Sequence, residues 1–482
     1  MSIANALSNA LSGLTASARG VEVVSSNLAN ALTPGYGRRE LQLSPRILSS
    51  NGGGVRVDGI RRAVTMSLVA ANRSASADAA AATAAGDFAR KLEGLYGLPG
   101  DGASLSDQIT RFQAALTSAA ARPDSDLRLE SVAGSAKSIT EKLNAISAGI
   151  QSARADADGR IGDTVDQLNN ALRGVSDLNR QIVVRLSNND EAAALIDQRQ
   201  KLIDEISTFV PIKEIPRQNG QIALFTESGG VLLDGGKPAT FAFQRTPTIT
   251  ADMTVESGNL STLTVNGIEV NPASKSFYGG GLIGSLFAIR DQSSAAAQKQ
   301  VDAYAASIYT RFSSPAVDPT LNAGQAGLFT DNGDAFYPAN SVGLASRLKI
   351  NAAVDAGTGG SAWRIRAGLY AASPGNVSSD TILNKLADAL TLSQPVGGGL
   401  VAGTAATQAN DLSSRASTLR VQSEARETRT AAQASAVRSS LMAEGVDSDY
   451  EMSRLLELEK AYAANARVIQ AADEMLQNLM RL

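Results

Sequence analysis

A few stretches carry residue types that could do chemistry. Gly235-Gly236-Lys237 has the ending of a phosphate-cradling loop, in which backbone amides and a lysine would hold phosphate oxygens. The pattern is broken, because Val231 stands where the first glycine belongs and Pro238 replaces the metal-binding Ser or Thr. "DADGRIGDTVDQ", from Asp156, spaces carboxylates somewhat like a calcium loop. Its glycine is misplaced and Gln167 occupies the position of the bidentate Glu, so the stretch reads as a solvated turn. There is no G-x-S-x-G elbow, and the Asp and Glu pairs are scattered along helical faces without a converging acid/base couple. The chain has 0 His and 0 Cys, which removes the imidazole base, the thiolate nucleophile and the His or Cys metal ligand together. Catalysis would rest on carboxylates, Lys, Tyr or hydroxyls alone. The sequence therefore predicts no enzyme, no catalytic residue, no cofactor and no metal; a secreted carboxylate-based hydrolase is kept as the contrasting reading.

The elements that would position any site have a distinctive composition. At 482 residues the chain can bury more than one core. Aromatic residues are 4%, with Trp363 the single Trp, so cores must be built from aliphatic residues and alanine, which suits slender helical packing. A net charge of −3 gives no electrostatic reason to expect nucleic acid or an anionic membrane. No apolar run approaches the length of a membrane span, and "MSIANALSNALSG" lacks the form of a cleavable signal peptide.

The two ends are striped. Ile3, Leu7, Ala10, Leu14, Ser17, Val21, Val24 and Leu28 follow alternating steps of four and three, placing them on one helical face. Gly13 and Gly20 each cost that helix about 0.5–1 kcal/mol relative to Ala, so alone it is marginal. Asn30 and Thr33-Pro34-Gly35 end it. At the other end Leu455, Leu458, Tyr462, Asn465, Ile469, Ala472, Leu476 and Leu479 repeat the rhythm, preceded by a start signal at Asp447, Asp449 and Glu451.

Between them, a seam from Ile161 to Leu186 predicts a long helix, followed by "AALIDQRQKLIDEIS", in which Asp197 and Arg199 read as a solvated face, and by Pro211 as a stop. Short apolar runs punctuated by Gly then predict β structure, with Asn266-Gly267 as a hairpin turn. The triple glycines at Gly52 and Gly279 read as turns. Helix returns after "GGGLIGSLFAIRDQSS", and a mixed stretch containing "ASRLKINAAV" and "WRIRAGL" precedes a long Ala/Ser/Arg helix. The expected fold class is mainly α with a β-rich insertion: N- and C-terminal helices paired as a coiled coil, a long-helix middle and smaller β parts. The expected domains are 1–65 with 440–482, 66–210 with 271–439 (a possible small mixed subdomain at 313–400), and the β-rich 211–270.

"SSNLANALTPGYGRRE" resembles the N-terminal signature of the bacterial flagellar axial proteins, the rod, hook and hook-associated proteins, and "GVDSDYEMSRLLELEKAYAANARVIQAADEMLQNLMRL" resembles their C-terminal signature. Asn27, Asn30, Thr33, Pro34, Gly35, Tyr36, Asn465 and Asp473 are the signature positions. "LIDQRQ", "NGQIALFTESGGVLL", "GGGLIGSLFAIRD" and Tyr36 followed by Arg38 are similar to the hook-associated branch at the hook–filament junction, with a hook or rod component as the alternative. The resemblance implies a structural protein that polymerises as a ring at the distal end of the hook. Ile3, Leu7, Leu14, Val21, Val24, Leu28, Leu455, Leu458, Tyr462, Ile469, Leu476 and Leu479 would form its polymerisation interface. The implied partners are other copies of itself, the hook protein, a second junction protein (hook-associated protein 3), an export chaperone at the C-terminal helix and the flagellar type III apparatus. The implied location is the extracellular flagellum, reached without a cleaved signal peptide.

Overall fold

The computed structural model describes residues 3–480 apart from Pro34, Ser49, Ser50, Pro99 and Asn189. Helix α1 (Ile3–Ala29) leads into an antiparallel ribbon of β1 (Arg39–Leu48) and β2 (Asn51–Arg62). Gly52–Gly54 lie in the opening stretch of β2 rather than in a separate turn; Gly52 pairs with Ile47, and Gly53-Gly54 fall at a register irregularity. The register shifts twice along the pair, with the extra residues in β2, and Pro45 within β1 blunts that strand against further pairing.

The body follows. Helix α2 (Met66–Tyr96) and α3 (Leu105–Ala121) precede α4 (Asp126–Ser187), whose 62 residues make a spine of about 93 Å at 1.5 Å per residue. The seam recognised from Ile161 begins much earlier: Leu129, Val132, Ala136, Ile139, Leu143, Ile146 and Ile150 are buried in the same phase. The carboxylates from Asp156 therefore lie on helix, not in a solvated turn. Asp158 is buried and takes the guanidinium of Arg290 at 2.7 Å and the amide of Thr246 at 2.6 Å. Arg290 stacks on Phe243 and Phe287; burial alone would lower its pKa, yet the hydrogen bonds to Asp291 and Asp158 hold it raised.

After α5 (Ala193–Phe209) comes the β-rich segment. Strands β3 (Ile212–Pro216), β4 (Ile222–Thr226), β5 (Val231–Asp234) and β6 (Lys237–Pro238) pair antiparallel in that order. Gly235-Gly236 is the turn between β5 and β6, at φ +59° and +80°, which accounts for the two glycines without any phosphate. Strands β7 (Phe241–Ala242), β8 (Thr264–Val265) and β9 (Ile268–Glu269) form a second small sheet, and Asn266-Gly267 is its left-handed hairpin turn.

The chain returns through α6 (Lys275–Tyr278), α7 (Gly281–Ala288), a π-helical turn at Ile289–Ser293 and α8 (Ser294–Phe312). The mixed stretch holds β10 (Phe329–Asp331), α9 (Leu344–Arg347), β11 (Leu348–Ile350), α10 (Arg364–Ala367) and α11 (Thr381–Thr391). Helices α12 (Ala405–Ala443) and α13 (Ser448–Met480) complete the described chain. One apolar core runs from Ala84 to Ala416 and takes in the β-rich and mixed stretches as well as the helices. A triangle of Phe112, Phe312 and Phe329, with centroids 5.3–6.3 Å apart, ties the mixed stretch to α3 and α8. Neither α1 nor α13 contributes to that core. Among the described residues no helix is long and apolar enough to cross a membrane.

Candidate assembly interface and its joint

Helices α1 and α13 pair antiparallel. Gly13 faces Asn465 and Gly20 faces Leu458, so seven residues forward on one helix correspond to seven back on the other. A Cβ on Gly13 would lie 2.7 Å from Asn465 Nδ2, and one on Gly20 would lie 2.9 Å from Leu458 Cδ2. The glycines that weaken α1 as a lone helix thus let α13 approach its backbone. Of the expected interface residues, Val24 is buried, while Ile3, Leu7, Leu14, Val21, Leu28, Leu455, Leu458 and Ile469 are half-buried. Tyr462 and Leu476 remain 43% and 39% exposed; the side chain of Leu479 lies outside the described residues. Ala10, Ala16, Ser17, Val23 and Ala472 complete the covered face, while Met452, Leu456, Val468 and Met475 point away from it into solvent. A fully buried Leu or Met is worth about 1.5–3 kcal/mol, and this pair realises only part of that along its length.

The signature residues build the loop beyond α1. Asn27 is buried and acts as an extra strand residue: its Nδ2 donates to Arg39 O and its Oδ1 accepts from Arg39 N, both at 2.9 Å. The Tyr36 hydroxyl donates to the same Oδ1 at 2.9 Å. Asn30 Nδ2 closes the helix end on Ser26 O at 2.9 Å, and the Thr33 hydroxyl donates to Asn30 Oδ1 at 3.3 Å. Gly35 takes φ +80° under the aliphatic stem of Lys201; Pro34 lies outside the described residues. Asp447 caps α13 through the amides of Asp449 and Tyr450, and Asp473 accepts from Gln477 one turn on.

Two consecutive arginines then divide the work. Arg38 reaches α13: its Nε donates to Glu451 at 2.9 Å, its guanidinium lies 4.8 Å from the Tyr450 ring centroid, and it also pairs with Glu40 at 3.0 Å. Burial opposes the Arg38 charge, but the hydrogen bond and charge of Glu451 hold its pKa above the ordinary value. Arg39 stacks on Tyr36 and reaches the body, with Nη2 3.3 Å from Asp197 Oδ2. Asp197 also accepts from the Gly37 amide at 3.3 Å, and Arg62 Nε lies 2.9 Å from it as an ion pair whose N–H points aside.

Asp197 and Arg199 therefore do not form a solvated face. Both are buried, Arg199 donating to Asn179 Oδ1 and Gly220 O at 2.7 Å. The signal was available: Asp197 and Gln200 stand in step with Ile203 and Ile206, a polar pair in the apolar phase of a helix. Sequence reading also missed Arg73, which is buried and binds Asp204 and Glu214 at 2.8 and 2.7 Å, joining α2, α5 and β3. What brings α1, the ribbon, α13 and α5 together is a bonded joint around residues 36–40.

Three family descriptions match this chain in order: flagella basal body rod protein at residues 7–36, flagellar hook-associated protein FlgK helical domain at 89–323, and flagellar basal body rod FlgEFG protein C-terminal at 438–482. Flagellar hook-associated protein 1 of Escherichia coli (strain K12) is 24% identical over 241 residues, covering 48% of this chain and 43% of that one. The protein of the same name from Bacillus subtilis (strain 168) is 24% identical over 249 residues, covering 47% of each. These matches span less than half the length of the curated relatives. A solved structure of the flagellar hook junction protein FlgK from Burkholderia pseudomallei gives a TM-score of 0.46 at 20% identity, over 54% of this chain and 46% of that one. With rod-type matches at both ends and the FlgK helical domain matched between them, the chain is similar to the flagellar axial proteins of the hook-associated protein 1 type.

Proposed function

We propose that this chain is a structural component of the bacterial flagellum that polymerises at the distal end of the hook as part of the hook–filament junction. The observation that carries the reading is the terminal pair: two helices outside the main core, packed on each other through glycines, with apolar side chains of α13 left facing solvent. Such a surface is completed by other subunits. The division proposed is a terminal polymerisation unit (1–65 with 440–482) on a helical body. The body carries the β-rich 211–270, and the joint at Asp197, Arg38 and Arg39 sets one against the other. The partners proposed are further copies of the chain in a ring, the hook protein on one side and hook-associated protein 3 on the other. An export chaperone would cover the C-terminal helix during passage through the type III apparatus to the cell exterior. The role is mechanical rather than catalytic. The test is to locate the tagged protein in cells and to delete it: signal at the hook–filament boundary and hooks left bare on deletion support the reading. Full-length filaments without the protein overturn it.

A further inference from the structure

The terminal unit carries opposite charge on its two flanking elements. Of the five arginines in the β1–β2 ribbon, Arg39 and Arg62 are held by Asp197, leaving Arg46, Arg56 and Arg61 on the outside with Glu40 and Asp58. Its bases project further than its acids: the side chains of Arg56 and Arg61 are 69% and 62% exposed, those of Asp58 and Glu40 31% and 37%. Arg46 is exposed and has no ion-pair partner among the described residues. Helix α13 holds six acids against three bases; Asp449, Glu457, Glu459, Asp473 and Glu474 are exposed, beside the uncovered Met452 and Leu456. Helix α1 between them carries one Arg and one Glu. The ribbon lies along the α1 face marked by Asn9 and Ser12, where Val55 N donates to Ser12 Oγ at 3.1 Å. Helix α13 lies along the adjoining face marked by Gly13 and Gly20. Apart from Arg38 at the foot of the ribbon, which pairs with the buried Glu451, no ion pair among the described residues joins the ribbon to α13, so their exposed charges do not meet each other within one chain.

We infer that the basic ribbon of one copy docks on the acidic outer face of α13 of a neighbouring copy. The two surfaces are different patches of one chain, so the contact is head to tail, the interface type that generates rings or helices rather than closed dimers. The blunted β1 edge makes the contact one of side-chain charge rather than added strands. The inference rests on the assembly reading proposed above and names the lateral contact within it.

The absence of Cys makes the test clean, since any engineered thiol is unique. Full-length Gln42→Cys and Ala463→Cys proteins are mixed and oxidised, and the covalent dimer is quantified beside a control pair of Gln42→Cys with Asn170→Cys. The ribbon/α13 pair is expected to cross-link at least about tenfold faster than the control in low salt, and to lose that advantage at about 0.5 M salt, where charges are screened. Arg46→Glu with Arg56→Glu on the first protein should abolish the advantage. Adding Glu457→Lys with Glu459→Lys on the second should restore it, which a variant that had merely unfolded would not do. Equal rates for both pairs, or reversal without restoration, overturn the inference. Sedimentation of the native chain separates the two failures: self-association without ribbon/α13 cross-linking leaves the assembly reading intact, whereas a chain that stays monomeric at every concentration removes both.

Discussion

Replacing Asp197 by Ala should unlock the terminal unit from the body without unfolding either. The carboxylate accepts from the Gly37 amide and from Arg39, both at 3.3 Å, and is ion-paired with Arg62 at 2.9 Å. Its side chain is 12% exposed and those of the two arginines 18% and 15%, so all three charges are largely out of water. Removing one partner of a fully buried pair costs about 3–5 kcal/mol, because the remaining charge is stranded. Partial exposure and the misaligned Arg62 N–H reduce this to about 2–3 kcal/mol. At 1.4 kcal/mol per decade, the opening equilibrium of the joint should rise roughly 30- to 150-fold. Hydrogen exchange on the full chain reads this at residues 37–41 and 60–62, while the amides of α4 between Leu129 and Ile150 keep their protection. Asp177→Ala, which removes an exposed carboxylate paired with Arg180, is the control. Unchanged exchange at 37–41 in the Asp197 variant, or an equal change in the control, would refute the assignment of the joint to this carboxylate.

Other outcomes follow from the same packing. Gly20→Leu should push α13 off α1 at a cost of about 1–3 kcal/mol, since its Cβ would begin 2.9 Å from Leu458; limited proteolysis of α13 checks it. Gly134→Ala meets open space in the third turn of α4 and should instead stabilise the body by about 0.5–1 kcal/mol, read as a higher urea midpoint. Asp158→Ala removes one of the two carboxylates bonded to the buried Arg290, Asp291 remaining, and should lower body stability by about 2–3 kcal/mol in the same titration. Glu93 is held below the usual carboxylate range mainly by Arg420 of α12, 2.6 Å away. A depressed folded pKa means the native state binds fewer protons than the unfolded chain. The contribution is therefore present above the unfolded value near 4.5 and is lost as pH falls through the lower folded value. Glu93→Gln should flatten the stability profile in that acidic window, measured by urea titrations at successive pH values.

What the sequence determined by itself is local. Steps of three and four fix which face of α1, α4 and α13 is apolar, Asn266-Gly267 fixes a hairpin, and Asp447 fixes a helix start, because each depends on neighbours a few residues away. The absence of His and Cys removed whole classes of chemistry before any fold was known. Tertiary structure decided the meaning of residues whose partners are distant in the chain. Gly13 and Gly20 read as defects until α13, some 450 residues on, was laid against them. Asp197 and Arg199 read as a solvated face until the ribbon and the loop at Gly220 closed over them, and Asp158 read as a turn residue until Arg290 arrived. A helical period states that a face is special, not what will cover it. A charge on that face is a solvated one or a joint according to long-range contacts that only folding brings about.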